Sequence, residues 1–239
     1  MGLLKNVLIV IVAILLIIWI VSWFSGGSSQ LTPLTDATEM QKISPSDLPS
    51  NDNTSNYSYS VWFYVQDWNY RYGEPKIILG RVDENKAPSP SITLGALENN
   101  LQIKVVCYGQ DASTGVSQNN ELIHTCDVRN VPLQKWVNVI TSLYGRSLDV
   151  YIDGKLVRTC VLPGVAKINP DSPIYITPQG GFAGWTSNIR YWSEAKNPQQ
   201  AYNIYKAGYG GSTLGNLFNK YRIKISYLKD NVEQSSFEI

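Results

Sequence analysis

Apolar and polar positions along the chain follow three successive patterns. From Val7 to Phe24 the chain runs through 18 uncharged residues, VLIVIVAILLIIWIVSWF. As a helix this run spans roughly 27 Å, close to the hydrocarbon thickness of a bilayer. Leu3 and Leu4 lengthen it, so residues 3–24 are predicted to form a single transmembrane anchor. Trp19, Trp23 and Phe24 fall at its C-terminal end, where amphipathic rings favour the headgroup zone, and Lys5 marks the other end. A cleaved signal peptide ending near Ser25-Gly26-Gly27 is the rival reading, but the apolar run is longer than a signal core requires. Lys5 before the span, with no basic residue until Lys42, favours an inside N-terminus.

Residues 25–55 are rich in Ser, Thr, Gly, Pro and Asp and carry no sustained apolar period, so they read as a polar linker. A flexible segment of that length reaches roughly 30 Å. Asn53 and Asn56 head two formal glycosylation sequons, which carry meaning only on a lumenal or external face.

From Tyr57 onward the period changes to two. In YSYSVWFYV, Tyr57, Tyr59, Val61, Phe63 and Val65 alternate with Ser58, Ser60, Trp62 and Tyr64, as a strand with one buried face demands. KIILGRV, SITLGAL, LQIKVVCY, ELIHTCDV, WVNVITSLY, SPIYI and SNIRYW follow in the same style. Asp153-Gly154 between SLDVYI and KLVRTCVL is a strong two-residue hairpin signal. Residues 56–211 therefore form one all-β antiparallel domain. Residues 212–239 form a C-terminal tail in which Tyr221, Ile223, Ile225 and Tyr227 alternate with polar residues. They predict an additional strand, either an edge strand closing the domain or a docking strand for a neighbouring subunit.

Charge narrows the partners. With 20 basic and 19 acidic residues the net charge is +1, which argues against nucleic acid as a ligand. Three cysteines, Cys107, Cys126 and Cys160, are too few and too widely spaced for a zinc site, and no metal is expected. Alternation turns Cys107 and Cys126 inward, as two buried thiols or as a cross-strand disulfide. The one histidine, His124, sits within a strand beside Leu122 and Cys126, where a structural role outweighs a catalytic one. Asp149 and Asp153 are four apart, but Asp153 belongs to the hairpin turn. Phosphate-binding glycine loops, HExxH and CxxC are missing as well, so no cofactor and no enzyme activity is expected.

The order of features then becomes recognisable. A strand opening on Trp136, the hairpin from Tyr151 to Val157, and FAGWTSNIRYW from Phe182 to Trp192 resemble the laminin-G-like branch of the concanavalin-A-like lectin and glucanase superfamily. The resemblance covers about Tyr57 to Gly211. It implies a two-sheet antiparallel jelly-roll sandwich with a short helix packed beneath it after the last strand, here joined to an N-terminal transmembrane helix. Glucanases on this fold use paired carboxylates written ExDxxE, and that run is absent. An anchor, tether and jelly roll in this order also resemble membrane-associated virion proteins of large double-stranded DNA viruses. That resemblance implies a non-catalytic structural protein, a minor capsid or membrane-to-capsid tether contacting a capsid-like protein layer. A surface lectin is the alternative. It would stack carbohydrate on Trp68, Tyr70 and Tyr72 of the QDWNYRYGEP loop and on Trp185 of the FAGW turn.

Overall fold

The structure, a computed structural model, describes residues 30–50, 55–82, 88–110, 117–210, 224–229 and 232–238. The predicted anchor over residues 3–24 and the Asn53 sequon lie outside the described residues. Among the described residues no helix is long and apolar enough to cross a membrane.

Two antiparallel sheets stack face to face. The first runs, in spatial order, β1 (Gln30–Thr32), β13 (Ala183–Trp192), β4 (Tyr57–Asp67), β9 (Trp136–Tyr144), β10 (Ser147–Ile152) and β11 (Lys155–Val161), with β2 (Thr35–Asp36) also paired to β13. The second runs β3 (Gln41–Ile43), β12 (Ile174–Ile176), β5 (Lys76–Val82), β6 (Pro88–Leu94), β7 (Leu101–Gln110) and β8 (Ser117–Val128). Period-two patterning places the core between them. Tyr57, Tyr59, Val61, Phe63 and Val65 of β4 are all buried, and they meet Ile78, Ile92, Leu94, Leu101, Ile103 and Val105 of the opposite sheet. The predicted hairpin is present, with Ile152 opposite Lys155. Asp153 at φ 50° and Gly154 at φ 73° occupy the left-handed conformations that such a two-residue turn needs.

The segment read as a linker is different from that expectation. Within 25–55, three short strands join the sandwich: β1 and β2 pair with β13, and β3 pairs with β12. Leu31, Ala37, Ile43 and Leu48 anchor it to the core. These anchors are five or six residues apart and separated by Ser, Thr and Pro, so no period of two or 3.6 betrays them. The folded domain accordingly begins near Gln30, well before residue 56.

The cysteine pairing also differs. Cys126 is bonded to Cys160, with their Cα atoms 6.0 Å apart, and Cys107 is a buried free thiol. In the β7–β8 register Cys126 lies opposite Ile103 and Cys107 opposite Leu122. Cys107 and Cys126 are thus four positions apart along the ladder, roughly 13 Å, beyond disulfide reach. Leu122, on the same alternating face as Cys126, is 46% exposed, because the strand's inward run begins only at Cys126. The actual bridge joins the outer strand of one sheet, β8, to the outer strand of the other, β11, and closes that side of the sandwich.

Helix α1 (Pro198–Lys206) follows β13 and packs on the outer face of the first sheet, where Ala201 and Ile204 meet Ile140 and Tyr151. Asn197 caps it, with Asn197 and Gln200 exchanging side-chain and backbone hydrogen bonds at 2.9 Å each. In the tail, β14 (Lys224–Lys229) and β15 (Val232–Glu238) pair, among the described residues, only with each other as a two-stranded sheet. The tail is therefore a hairpin and not an edge strand of the sandwich. Of the predicted docking residues, Ile225 and Tyr227 lie on β14, and Tyr221 and Ile223 fall outside the described residues.

Candidate functional site

The outer face of the first sheet is unusually aromatic. Alternation on β4 turns Trp62 and Tyr64 away from the core, and the register sets Tyr64 between Trp185 of β13 and Trp136 of β9. After α1, Ser187 Oγ donates to the Tyr209 carbonyl at 2.7 Å and Asn188 Nδ2 to the Gly208 carbonyl at 2.7 Å. These bonds pin the chain so that the Tyr209 ring stacks on Trp136 at 4.6 Å. Tyr64 lies 5.8 Å from Trp136, Tyr209 5.9 Å from Trp62, Trp62 5.6 Å from Tyr205, and Tyr205 6.4 Å from Tyr202. The result is a continuous ladder from Tyr64 to Tyr202, with Trp185 40% exposed at its β13 end.

The ladder ends in a cleft of about 730 Å³ between the 127–132 segment, the β10–β11 hairpin and α1. Tyr202 and Tyr205 form its aromatic wall, and Asp127, Arg129, Lys155 and Arg158 supply its charges. Its remaining carboxylate, Asp153, is already committed: it accepts the Asn138 N–H at 2.9 Å and pairs with Lys135 at 3.5 Å. Asp127 is not so engaged, and its Oδ1 is buried without a hydrogen-bond partner. Such an acceptor costs about 1–3 kcal/mol until something donates to it. Gly154 lets the walls close. A Cβ there would sit 3.0 Å from Tyr205 Cβ and 3.2 Å from Tyr202 Cα.

The residues singled out from the sequence are scattered around this arrangement. Trp68 is half-buried against the core, and the buried Lys76 ammonium lies 4.6 Å from its ring centroid. Burial, together with the nearby Arg71 charge, holds the Lys76 pKa below the usual lysine value. The Arg71 side chain donates to the Gln179 and Gly181 carbonyls and pairs with Glu74, locking the 67–75 loop to the 178–181 turn. Tyr70 sits beside that turn, with its hydroxyl near Gly180, and Tyr72 is 60% exposed. Among the described residues no ring contact joins these three to one another or to Trp185. The aromatic surface lies instead with Tyr202, Tyr205 and Tyr209, whose spacing in AYNIYKAGY repeats every three or four residues. That helical spacing was the signal available for them. The cationic wall had no such signal, since Arg129 and Arg158 are 29 residues apart.

Acid–base chemistry finds no ready pair here. Asp149 accepts from Thr159 Oγ1 at 2.6 Å, and Asp153 serves the turn. His124 is half-buried on β8. Among the described residues no group of three or more His, Cys, Asp or Glu is placed to hold a metal ion. Asn56, the second sequon, accepts the Gly145 N–H at 2.8 Å.

Two sheets, a hairpin at Asp153-Gly154, and a helix beneath the last strand place this fold among the lectin-like jelly rolls. A laminin-G family model, described as the concanavalin A-like lectin/glucanases superfamily, matches residues 38–201, and the chain belongs to that superfamily. Its match begins inside the segment that joins the sandwich ahead of β4. No curated protein matches the sequence. Among solved structures, the receptor binding domain of botulinum neurotoxin D is similar at TM-score 0.54 and 13% identity, over 73% of this chain and 43% of that one. The botulinum neurotoxin serotype D binding domain gives 0.53 and 14%, over 73% and 41%. The receptor binding domain of the botulinum neurotoxin C/D mosaic serotype gives 0.51 and 13%, over 76% and 45%. At these identities the likeness is one of fold, and the chain spans less than half the length of each.

Proposed function

We propose that this chain is a non-catalytic, membrane-anchored recognition module that binds carbohydrate in the cleft beside Tyr202. The observation that carries the reading is the aromatic ladder ending in an open cleft lined with charged side chains. Sugar rings present C–H faces to aromatic surfaces and hydroxyls to charged groups, and Tyr202 with Arg129, Arg158 and the Asp127 carboxylate supply both. The superfamily hosts both lectins and glucanases, and the carboxylates committed to turn and strand contacts favour the lectin half. The apolar run over residues 3–24 would hold the module at a membrane.

The test is a glycan array probed with the full chain in detergent, comparing wild type with Tyr202→Ala. Saturable binding that weakens by about tenfold in the variant is expected. A blank array on which a control lectin binds normally would overturn the reading.

A second reading, a tether to a capsid-like protein layer in a virion membrane, keeps one supporting observation. The C-terminal hairpin pairs with neither sandwich sheet, as a docking element would. Cross-linking of Lys224 and Lys229 to a neighbouring protein in the source particle would favour it, and reaction at Lys42 without such links would count against it.

A further inference from the structure

A second cavity of about 300 Å³, sharing no lining residue with the cleft, opens between the N-terminal arm and the loop leading to β12. Pro45, Leu48, Pro170, Asp171 and Tyr191 wall it, and Arg81 of β5 forms its floor. Arg81 is 3% exposed. Its guanidinium crosses from the second sheet to the first, 5.7 Å from the centre of the Tyr191 ring and 3.5 Å from the Tyr59 hydroxyl. Nε donates to the Ser172 carbonyl at 3.0 Å and Nη2 to the Pro170 carbonyl at 2.6 Å.

All of these partners are neutral. Among the described residues no carboxylate lies within ion-pair distance of Arg81, Asp171 on the cavity lip included. A guanidinium has five N–H donors, and among the described residues three find acceptors, all of them neutral, at a buried position. Burying a charge without a counter-charge is costly, and carbonyl oxygens compensate it only in part. An anion entering the cavity would complete the set.

We propose that the Arg81 cavity binds a carboxylate. The planar guanidinium fork matches two carboxylate oxygens, and the proline and tyrosine walls suit a short apolar body behind them. The carboxylate is that of a small organic acid or of an acidic sugar. Separate titrants distinguish these: propionate for the first, glucuronate for the second.

The test follows the Arg81 Nε–H resonance of the full chain in detergent by nuclear magnetic resonance during each titration, with sodium chloride as the ionic-strength control. A saturable shift with at least one carboxylate, unmatched by chloride, is expected. Arg81→Met, which lacks that resonance and is followed through the backbone amide of the cavity residue Tyr191, should bind at least about tenfold more weakly, the loss that follows removal of a hydrogen bond to a charged group. Because Arg81 also pins the 170–172 loop, that variant risks misfolding. Ser46→Trp fills the cavity from its exposed wall, leaves Arg81 in place, and should abolish the shift. Tighter binding of glucuronate than propionate assigns an acidic sugar, and equal binding assigns the carboxylate alone. A linear response indistinguishable from chloride, or saturable binding that persists in Ser46→Trp, overturns the proposal.

Discussion

Removing the Cys126–Cys160 bridge should cost this domain a large share of its stability. The bridge closes a loop of 34 residues that contains β9 and β10, the strands between the two bonded edges. In the chain-entropy account, a loop of that length restricts the unfolded ensemble by about 12.6 cal/mol/K, or about 3.8 kcal/mol at 25 °C. For a domain of this size that corresponds to a fall in Tm of roughly 8–15 °C. The assay is urea and thermal unfolding followed by tryptophan fluorescence on the wild type and Cys126→Ala/Cys160→Ala. Cys107→Ala serves as the control, since it removes one buried sulfur and should cost only about 1 kcal/mol. The Cys107 thiol, pushed up to about 11 chiefly by burial, should resist alkylation at pH 8 in the native protein and react once urea unfolds it. The reasoning fails if the double variant loses less than about 1 kcal/mol, or if non-reducing urea exposes three thiols instead of one.

Two further outcomes test other parts of the structure. Gly154→Ala would place a methyl against Tyr202 and Tyr205 at φ 73°, and should lower the urea-derived stability by about 1–3 kcal/mol while weakening any cleft ligand; unchanged stability would mean that α1 does not rest on the hairpin. Burial raises the pKa of Tyr57 and Tyr59, and carries Tyr151 to about 12 with help from Asp149. The folded state then holds these protons more tightly than the unfolded chain. Their stabilising contribution is complete below about pH 10 and is lost as pH rises towards 12, so a urea midpoint that stays level across pH 9–12 would refute it.

The ladder and the Arg81 cavity show how one sandwich offers two kinds of surface. The outer face of the first sheet recruits rings from a helix that packs on it, so its chemistry depends on the chain beyond β13. The Arg81 cavity exists because the N-terminal arm, after pairing with β12 and β13, folds over the open end of the core near Tyr191.

Sequence alone determined the local features: the strand alternation of β4, the Asp153-Gly154 hairpin and the all-β domain class, while the helix after β13 came from the family resemblance. The first three rest on spacing between near neighbours, which a linear pattern records directly. Tertiary structure decided the rest. The arm before β4 has too few apolar anchors to show a period, and it becomes part of the sandwich only because β12 and β13 leave edges for it to pair with. Cys126 found Cys160 instead of Cys107 because strand register put the expected partners four positions apart and sheet stacking brought the two outer strands together. Trp68, exposed on paper, packs against the core with the Lys76 ammonium over its ring. The ladder, the cleft and the uncompensated Arg81 unite residues from strands, a helix and an arm far apart in the chain. Strand register within the first sheet and the docking of α1 on its outer face assemble the ladder, and the stacking of the two sheets under the arm assembles the Arg81 cavity.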